Sequence, residues 1–472
     1  MPEPRADALV LFGITGDLAY QQIFPALQAM ARHGQLDIPV IGVARPGWTA
    51  DRLCARARES LQANGGIDEP AYERLASRLS YVAGDYQEPD TFERLNQALG
   101  TAQRPVFYLA IPPSLFATVA ASLAKSGWAG RARLVVEKPF GRDLASARAL
   151  NATLHESFPE SAIYRIDHFL GKEPVQNLVY FRFANTFLEP IWNAGYVRCL
   201  QITMAEAFGV RGRGKFYEEV GAIRDVFQNH LLQVLSLLTM DRPSGSDGAS
   251  IESAKVALLE SIAPLRPGDV VRGQYKGYRR ESGVAPDSRI ETYAAIGLSI
   301  GTPRWAGVPI LVRTGKCLAQ TVTEVRATIK PPAVSLFDSA TEGGNEIRFQ
   351  LSPDVSITLV ANVKRAGEAM VGQDAALIVH HQPGDVMAPY ERLLRDAIRG
   401  DHTLFGSEAG VEASWRIVDQ VLSPDLRLHE YDPGSWGPAE AGAVASAAGG
   451  WLPPCTLARE NRPDEPNSLR RG

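Results

Sequence analysis

Cysteine is scarce: four residues in 472, at positions 54, 199, 317 and 455, with none of the spacings that hold a metal or form a redox pair. That usage fits a reduced cytoplasmic chain, and no metal centre is expected. No apolar run reaches the ~20 residues that cross a bilayer. The longest, 231–240 and 441–452, are too short, and the first is broken by Gln, Ser and Thr. The opening Met1-Pro2-Glu3-Pro4-Arg5 lacks the charged-then-apolar order of an export signal. A cytoplasmic protein without membrane attachment is expected. An excess of one charge is missing too. Lys and Arg total 49 against 53 Asp and Glu, a net charge of −4 that gives no field for nucleic acid or anionic lipid. Lysine itself is rare: nine of the 49 basic residues are Lys and forty are Arg. A Lys among polar loop residues therefore marks a place where a compact ammonium is preferred.

What is present is ordinary globular material, 45% hydrophobic and 22% charged, which excludes a disordered chain, a collagen and a coiled coil. At about 150 residues per domain the length suggests three domains, or two large ones. Ala8–Phe12 is a buried-strand run ended by Gly13, and Leu18–Arg32 carries a helical stripe at 19, 23, 24, 27 and 30. Further strands are read at 39–44, 106–111 and 133–137, separated by helical stretches, which is the grammar of a parallel sheet with crossovers. Near residue 165 the pattern changes. Segments 199–204, 292–300, 308–314, 324–329, 346–351 and 355–361 read as antiparallel strands, and 220–238 as one amphipathic helix. The expected fold is α/β: a doubly wound N-terminal domain over 1–165 and an α+β domain over 166–454 with a large, mostly antiparallel sheet. A polar tail follows at 455–472. The second sheet is too long for the helices available to cover it, so a homodimer or homotetramer is expected.

Five motifs carry chemistry. Gly13-Ile14-Thr15-Gly16-Asp17-Leu18-Ala19 lies between the first strand and first helix, where glycines permit a tight turn and backbone amides approach a pyrophosphate. Its GxxGxxA spacing equally describes an ordinary strand-to-helix turn. At the end of the second strand stands Arg45, which suits the 2′-phosphate of NADP better than an acid would. Glu137-Lys138-Pro139-Phe140-Gly141 ends a later strand. Residues 165–173, Arg-Ile-Asp-His-Phe-Leu-Gly-Lys-Glu, pack an acid, an imidazole and a rare lysine at the domain junction. Arg224-Asp225-Val226-Phe227-Gln228-Asn229-His230 is a polar cluster on the long helix. At 3.6 residues per turn, Asp225 and His230 fall about 140° apart, able to flank a site but not to share a stripe. In isolation His230 reads as a satisfied core histidine. Trp305-Ala306-Gly307-Val308-Pro309 and Arg313-Thr314-Gly315-Lys316 complete the set.

Together with Tyr390–Ala397 and Gly434–Pro438, these blocks keep the order and rough spacing of one family, and the chain resembles the glucose-6-phosphate dehydrogenases. The resemblance implies a Rossmann domain and an NADP-linked oxidation of a sugar phosphate at its anomeric carbon, at the entry to the pentose phosphate route. It implies that His230 is the general base and Asp167 its orienting carboxylate, sound chemistry for an imidazole titrating near neutrality. His168 and Lys172 match phosphate-binding positions. Glu206, Asp225 and Lys316 match groups that hold sugar oxygens, and Lys138 lies where cofactor and substrate meet. Gly13, Thr15, Gly16, Asp17, Leu18, Arg45, Asp85 and Tyr86 fall at cofactor positions.

The chain departs from the family pattern at three places. Tyr20-Gln21-Gln22 stand where basic residues commonly follow GDLA, Phe169 replaces the tyrosine of DHYLGKE, and Thr321 replaces a basic residue. Each removes a polar or positive group from the substrate side. Three readings follow: a glucose-6-phosphate 1-dehydrogenase, the same chemistry on another sugar, unphosphorylated or modified, and a non-catalytic regulatory homologue. Retention of His230, Asp167, Lys172 and Arg45 argues against the third.

Overall fold

The computed structural model describes residues 4–334, 336–337, 344–367, 370–380 and 387–454, so the expected tail at 455–472 lies outside it. The N-terminal strands are β1 (Ala8–Phe12), β2 (Val40–Ala44), β3 (Leu79–Ala83), β4 (Pro105–Leu109), β5 (Arg133–Glu137) and β6 (Ile163–Ile166). β1, β2, β4 and β5 are buried at every position, as strands covered by helices on both faces require. They run parallel in the order β6-β5-β4-β1-β2-β3. The order reverses between β1 and β4, and that reversal opens a crevice beyond their C-terminal ends, where doubly wound folds bind ligands.

The second sheet holds nine strands: β7 (Val197–Ala205), β8 (Val270–Tyr275), β9 (Tyr293–Leu298), β10 (Ile310–Gly315), β11 (Val322–Ile329), β12 (Glu346–Ser352), β13 (Ser356–Lys364), β14 (Gly372–His380) and, late in the chain, β16 (Leu428–Tyr431). The order is β14-β13-β12-β11-β7-β10-β9-β8-β16, antiparallel except for β7–β10 and β8–β16. One face is covered by the helical run 214–239, whose Ile223, Phe227, Leu231 and Leu235 pack with Ile202, Val312 and Val325. Burial of each such side chain stabilises by about 1.5–3 kcal/mol relative to exposure. Trp192 and Trp305 pin the far end of this run by donating to the carbonyls of Leu238 and Thr239, both at 2.6 Å.

That run is not the single α-helix expected over 220–238. Gly221 has φ +64°, and a Cβ there would meet the Glu291 carboxylate at 2.5 Å, so the chain breaks where only glycine fits. Glu291 caps the restart: its carbonyl accepts from Ala222 N–H at 2.9 Å and its carboxylate from Ile223 N–H at 3.2 Å. Residues Ile223–Leu231 then form a π-helix before Leu232–Thr239 returns to α geometry. A second π segment, Ala19–Ile23, opens the first long helix, which was expected to be regular from residue 18.

The end of the chain comes back to the first sheet. The helix Pro389–Arg399 places Leu393, Leu394 and Ile398 in one core with Leu27 and Tyr108. The two-residue strand β15 (Phe405–Gly406) pairs antiparallel with β6. Ala6 N–H donates to the Ile398 carbonyl at 2.8 Å, and buried Arg133 donates to the carbonyls of Ala397 and Ile398.

Candidate active site

The turn after β1 shows why its first glycine is needed. Gly13 has φ +79°, and a Cβ would lie 2.1 Å from the Ala110 carbonyl oxygen as the chain leaves β4. Its N–H is shared between the Val43 carbonyl at 3.0 Å and Tyr86 Oη at 2.9 Å. Tyr86 therefore ties the tips of β1 and β2 together. Gly16 closes the turn by donating to the Gly13 carbonyl at 2.9 Å, and Gly16 and Asp17 are exposed, with Thr15 and Leu18 half-buried. Arg45 is exposed immediately after β2. Asp85, beyond β3, is exposed and accepts from Gln87 N–H at 2.9 Å.

The crevice continues as a cleft of about 580 Å³ lined by Pro112, Ser114, Lys138, Arg142, Arg224 and Asn229 among others. The strand end at β5 and the π-helix thus face each other, and Lys138 bridges them. Its Nζ donates to His230 Nε2 at 3.0 Å, to the Asp225 carbonyl at 3.1 Å and to the Asp225 carboxylate at 3.4 Å. The π-helix explains how one ammonium reaches both residues. Bonding from i to i+5 brings positions five apart onto one face, so Asp225 and His230 do share a stripe, correcting the 140° separation expected for an α-helix.

On its other side His230 Nδ1–H donates to Asp167 Oδ1 at 2.6 Å. The same oxygen accepts from Phe169 N–H at 3.0 Å, while Asp167 Oδ2 is buried without a hydrogen-bond partner among the described residues. Burial would raise the Asp167 pKa, but the His230 ring beside it outweighs that and holds the carboxyl ionised well below the usual range. Burial is also the largest influence on His230, and with Lys138 it lowers the imidazole below its ordinary value against the upward pull of Asp167. At neutral pH the ring is uncharged, its proton on Nδ1 and its lone pair on Nε2.

His168 meets His230 edge-on at 4.8 Å between centroids and lies parallel to Tyr390 at 6.2 Å. Burial, helped by the neighbouring His230, pushes it down to about 3, so it is neutral. Lys172 starts the helix Glu173–Ala184, and burial lowers its pKa as well. Glu206 and Lys316 follow β7 and β10. The parallel register matches Ala205 with Gly315, so the next residue on each strand stands side by side, and the two side chains form an ion pair. Asp225 stays ionised because Lys138 and Lys316 outweigh its burial.

One substituted position is used locally. Thr321 Oγ1 accepts from Ala207 N–H at 3.0 Å, closing the loop after Glu206. Gln21 and Gln22 are exposed on the π turn. Sequence reasoning gave no role to Tyr390 or Glu137. Both belong to quoted motifs, yet only the fold shows Tyr390 beside His168 and the Glu137 carboxyl bonded to Tyr108 and Tyr390, where burial pushes it up to about 7.

Residues 10–177 match the glucose-6-phosphate dehydrogenase NAD binding domain, and residues 179–452 match the C-terminal domain of the same family. The chain belongs to the glucose-6-phosphate dehydrogenase family. It is 44% identical over 452 residues to glucose-6-phosphate 1-dehydrogenase 1 of Mycobacterium tuberculosis, covering 95% of this chain and 97% of that one. The crystal structure of glucose-6-phosphate 1-dehydrogenase from Mycobacterium avium superimposes with a TM-score of 0.90 at 43% identity, covering 96% of this chain and all of the other. A glucose-6-phosphate dehydrogenase in complex with glucose 6-phosphate gives 0.88 at 34% identity, with the same coverage of both chains. As in these dehydrogenases, a parallel nucleotide-binding sheet is joined to a large, mostly antiparallel one. No helix among the described residues is long and apolar enough to cross a membrane.

Proposed function

We propose that this chain is a glucose-6-phosphate 1-dehydrogenase, oxidising glucose 6-phosphate at its anomeric carbon to 6-phosphogluconolactone with NADP as electron acceptor. The observation that carries the reading is His230, neutral, held by Asp167 at 2.6 Å and presenting Nε2 to Lys138, which lines the cleft. The residues around Gly13 fit a dinucleotide, since the tight turn leaves Gly16 and Asp17 exposed between β1 and the first helix. We assign cofactor contacts to Gly13, Thr15, Gly16, Asp17, Leu18, Asp85, Tyr86 and Lys138, and the 2′-phosphate to Arg45. Bound NADP supplies the hydride acceptor.

His230 Nε2 takes the proton of the anomeric hydroxyl while the C–H pair departs as hydride and the carbon–oxygen bond becomes the lactone carbonyl. The substrate hydroxyl must first replace Lys138 at Nε2, and Lys138 keeps its hold on Asp225 as it moves. Asp167 fixes the tautomer and stabilises the imidazolium. Lys172 and His168 hold the phosphate, the first as a cation and the second as a neutral hydrogen-bonding ring. Glu206, Asp225 and Lys316 hold sugar oxygens. Residues 1–165 then serve the cofactor and 166–454 the sugar.

Following NADPH absorbance over a panel of phosphorylated and free sugars tests the reading. Glucose 6-phosphate should have the highest kcat/KM; a free or differently modified sugar in first place would replace it, and no turnover of any sugar would leave a non-catalytic protein. We further propose a cytoplasmic homodimer or homotetramer joined through the second sheet. Its outer strand β14 supports this, with Leu377 66% and Val379 63% exposed. Sedimentation as a monomer at micromolar concentration would defeat it.

A further inference from the structure

We infer that Phe169 is a positioning residue whose ring is a shared platform for the phosphate-holding lysine and the base histidine. The inference rests on the function proposed above and adds a residue to it. Phe169 is 2% exposed. Its ring lies nearly parallel to the His230 imidazole, 5.0 Å between centroids and 24° between planes. The Lys172 ammonium sits over the same ring, 4.0 Å from its centre. The backbone N–H of Phe169 donates to Asp167 Oδ1, the oxygen that also accepts from His230. One residue therefore touches the base, the acid that orients it and the cation set aside for phosphate.

The physics of each contact differs from that of the hydroxyl a tyrosine would offer. An aromatic face carries negative quadrupolar charge and attracts a partly desolvated ammonium. Lys172 hangs on a flexible four-carbon stem, and the ring restricts it before substrate arrives. The stacked ring likewise favours the imidazolium over the neutral imidazole, so it helps His230 accept its proton. The other charged or titratable groups around His230 are Asp167 at Nδ1, Lys138 at Nε2, Asp225 one π turn away and His168 at its edge. None of them stacks on the imidazole as the Phe169 ring does.

Phe169→Leu and Phe169→Met remove the ring while keeping apolar bulk, and Phe169→Tyr retains it. Wild-type turnover of glucose 6-phosphate comes first, because its absence would sink the proposed function and not this inference alone. Given that activity, the two ring-deleted variants should raise the KM for glucose 6-phosphate by roughly 3- to 30-fold, the range of a cation held over an aromatic face. They should lower kcat and move the acid limb of kcat/KM to lower pH. The ratio of efficiencies for glucose 6-phosphate over glucose should fall, since only the phosphorylated sugar uses Lys172. Phe169→Tyr should recover all four quantities relative to Leu. If thermal melting shows Leu unfolded, Met is read in its place. Equal losses on both sugars with an unmoved acid limb, in whichever ring-deleted variant folds, would reduce Phe169 to core packing and overturn the inference.

Discussion

Replacing Asp167 by Asn changes one oxygen for one NH2 in a buried site, and its consequences can be worked through atom by atom. In the native site Oδ1 accepts twice, from His230 Nδ1–H and from Phe169 N–H. An amide that keeps its oxygen at the Oδ1 position preserves both bonds and the tautomer, and its NH2 falls at the buried Oδ2 position. The flipped amide sets its NH2 against both donors, so the ring must carry its proton on Nε2, with no lone pair where the substrate hydroxyl arrives, and the Phe169 N–H faces a donor. Either way the imidazolium loses a charged acceptor in a buried site. A hydrogen bond to a charged group contributes about 1.5–3 kcal/mol, and at 1.36 kcal/mol per tenfold this is a loss of roughly 10- to 150-fold in kcat. The tautomer cost comes on top only in the flipped amide, so a fall of about 10–10³ is expected with little change in the KM for glucose 6-phosphate. The acid limb gives an independent check. Asp167 pulls the His230 pKa up against burial and Lys138, so its removal lets the imidazole protonate only at still lower pH. The limb of kcat/KM therefore moves to lower pH. A variant with less than a tenfold fall in kcat, or with its acid limb moved to higher pH, would refute the assignment of Asp167.

Three further outcomes follow from the same site. Lys138→Met removes a positive charge that lowers His230, so the acid limb should rise toward 6.5, opposite in sign to Asp167→Asn, while kcat/KM falls. Arg45→Ala should raise the KM for NADP far more than that for NAD, and equal weakening of both would make Arg45 structural. His168 and His230 both have depressed pKa values in the folded state, so the unfolded chain binds protons the native chain refuses as pH falls below about 6.5. Stability should decline between pH 6.5 and 5 by up to about 1.4 kcal/mol per pH unit for each group, and urea titrations of His168→Gln should show a shallower decline than wild type.

Local pattern made much of this legible. The run Ala8–Phe12 and the turn glycines announce the first sheet because a buried strand and a tight turn each demand particular residues within a few positions. Asp167, His168 and Lys172 were found together because one short segment carries all three. The geometry of Asp225 and His230 was not legible. Apolar residues at 220, 223, 227, 231, 234 and 238 fit a regular helix, and the π stretch arises from the break at Gly221 and its capping by Glu291, distant in sequence. Tyr390 was likewise invisible as a neighbour of His168, since only the return of the chain to the first sheet brings them together. β14 escaped notice because its apolar residues, Ala375–Val379, follow one another without a break between polar ends, so alternation fails.

The return of residues 389–406 has a bearing on synthesis. As a ribosome releases this chain from its N-terminus, the first six strands emerge long before the helix and short strand that complete their sheet. Until then Arg133 lacks the carbonyls of Ala397 and Ile398, Ala6 N–H lacks that of Ile398, and the apolar surface over Leu27 and Tyr108 stays open to water. The nucleotide-binding half is therefore a poor candidate for a stable fragment. Its last stitches are the chain's late ones, and a nascent polypeptide stalled before residue 389 leaves that apolar surface uncovered.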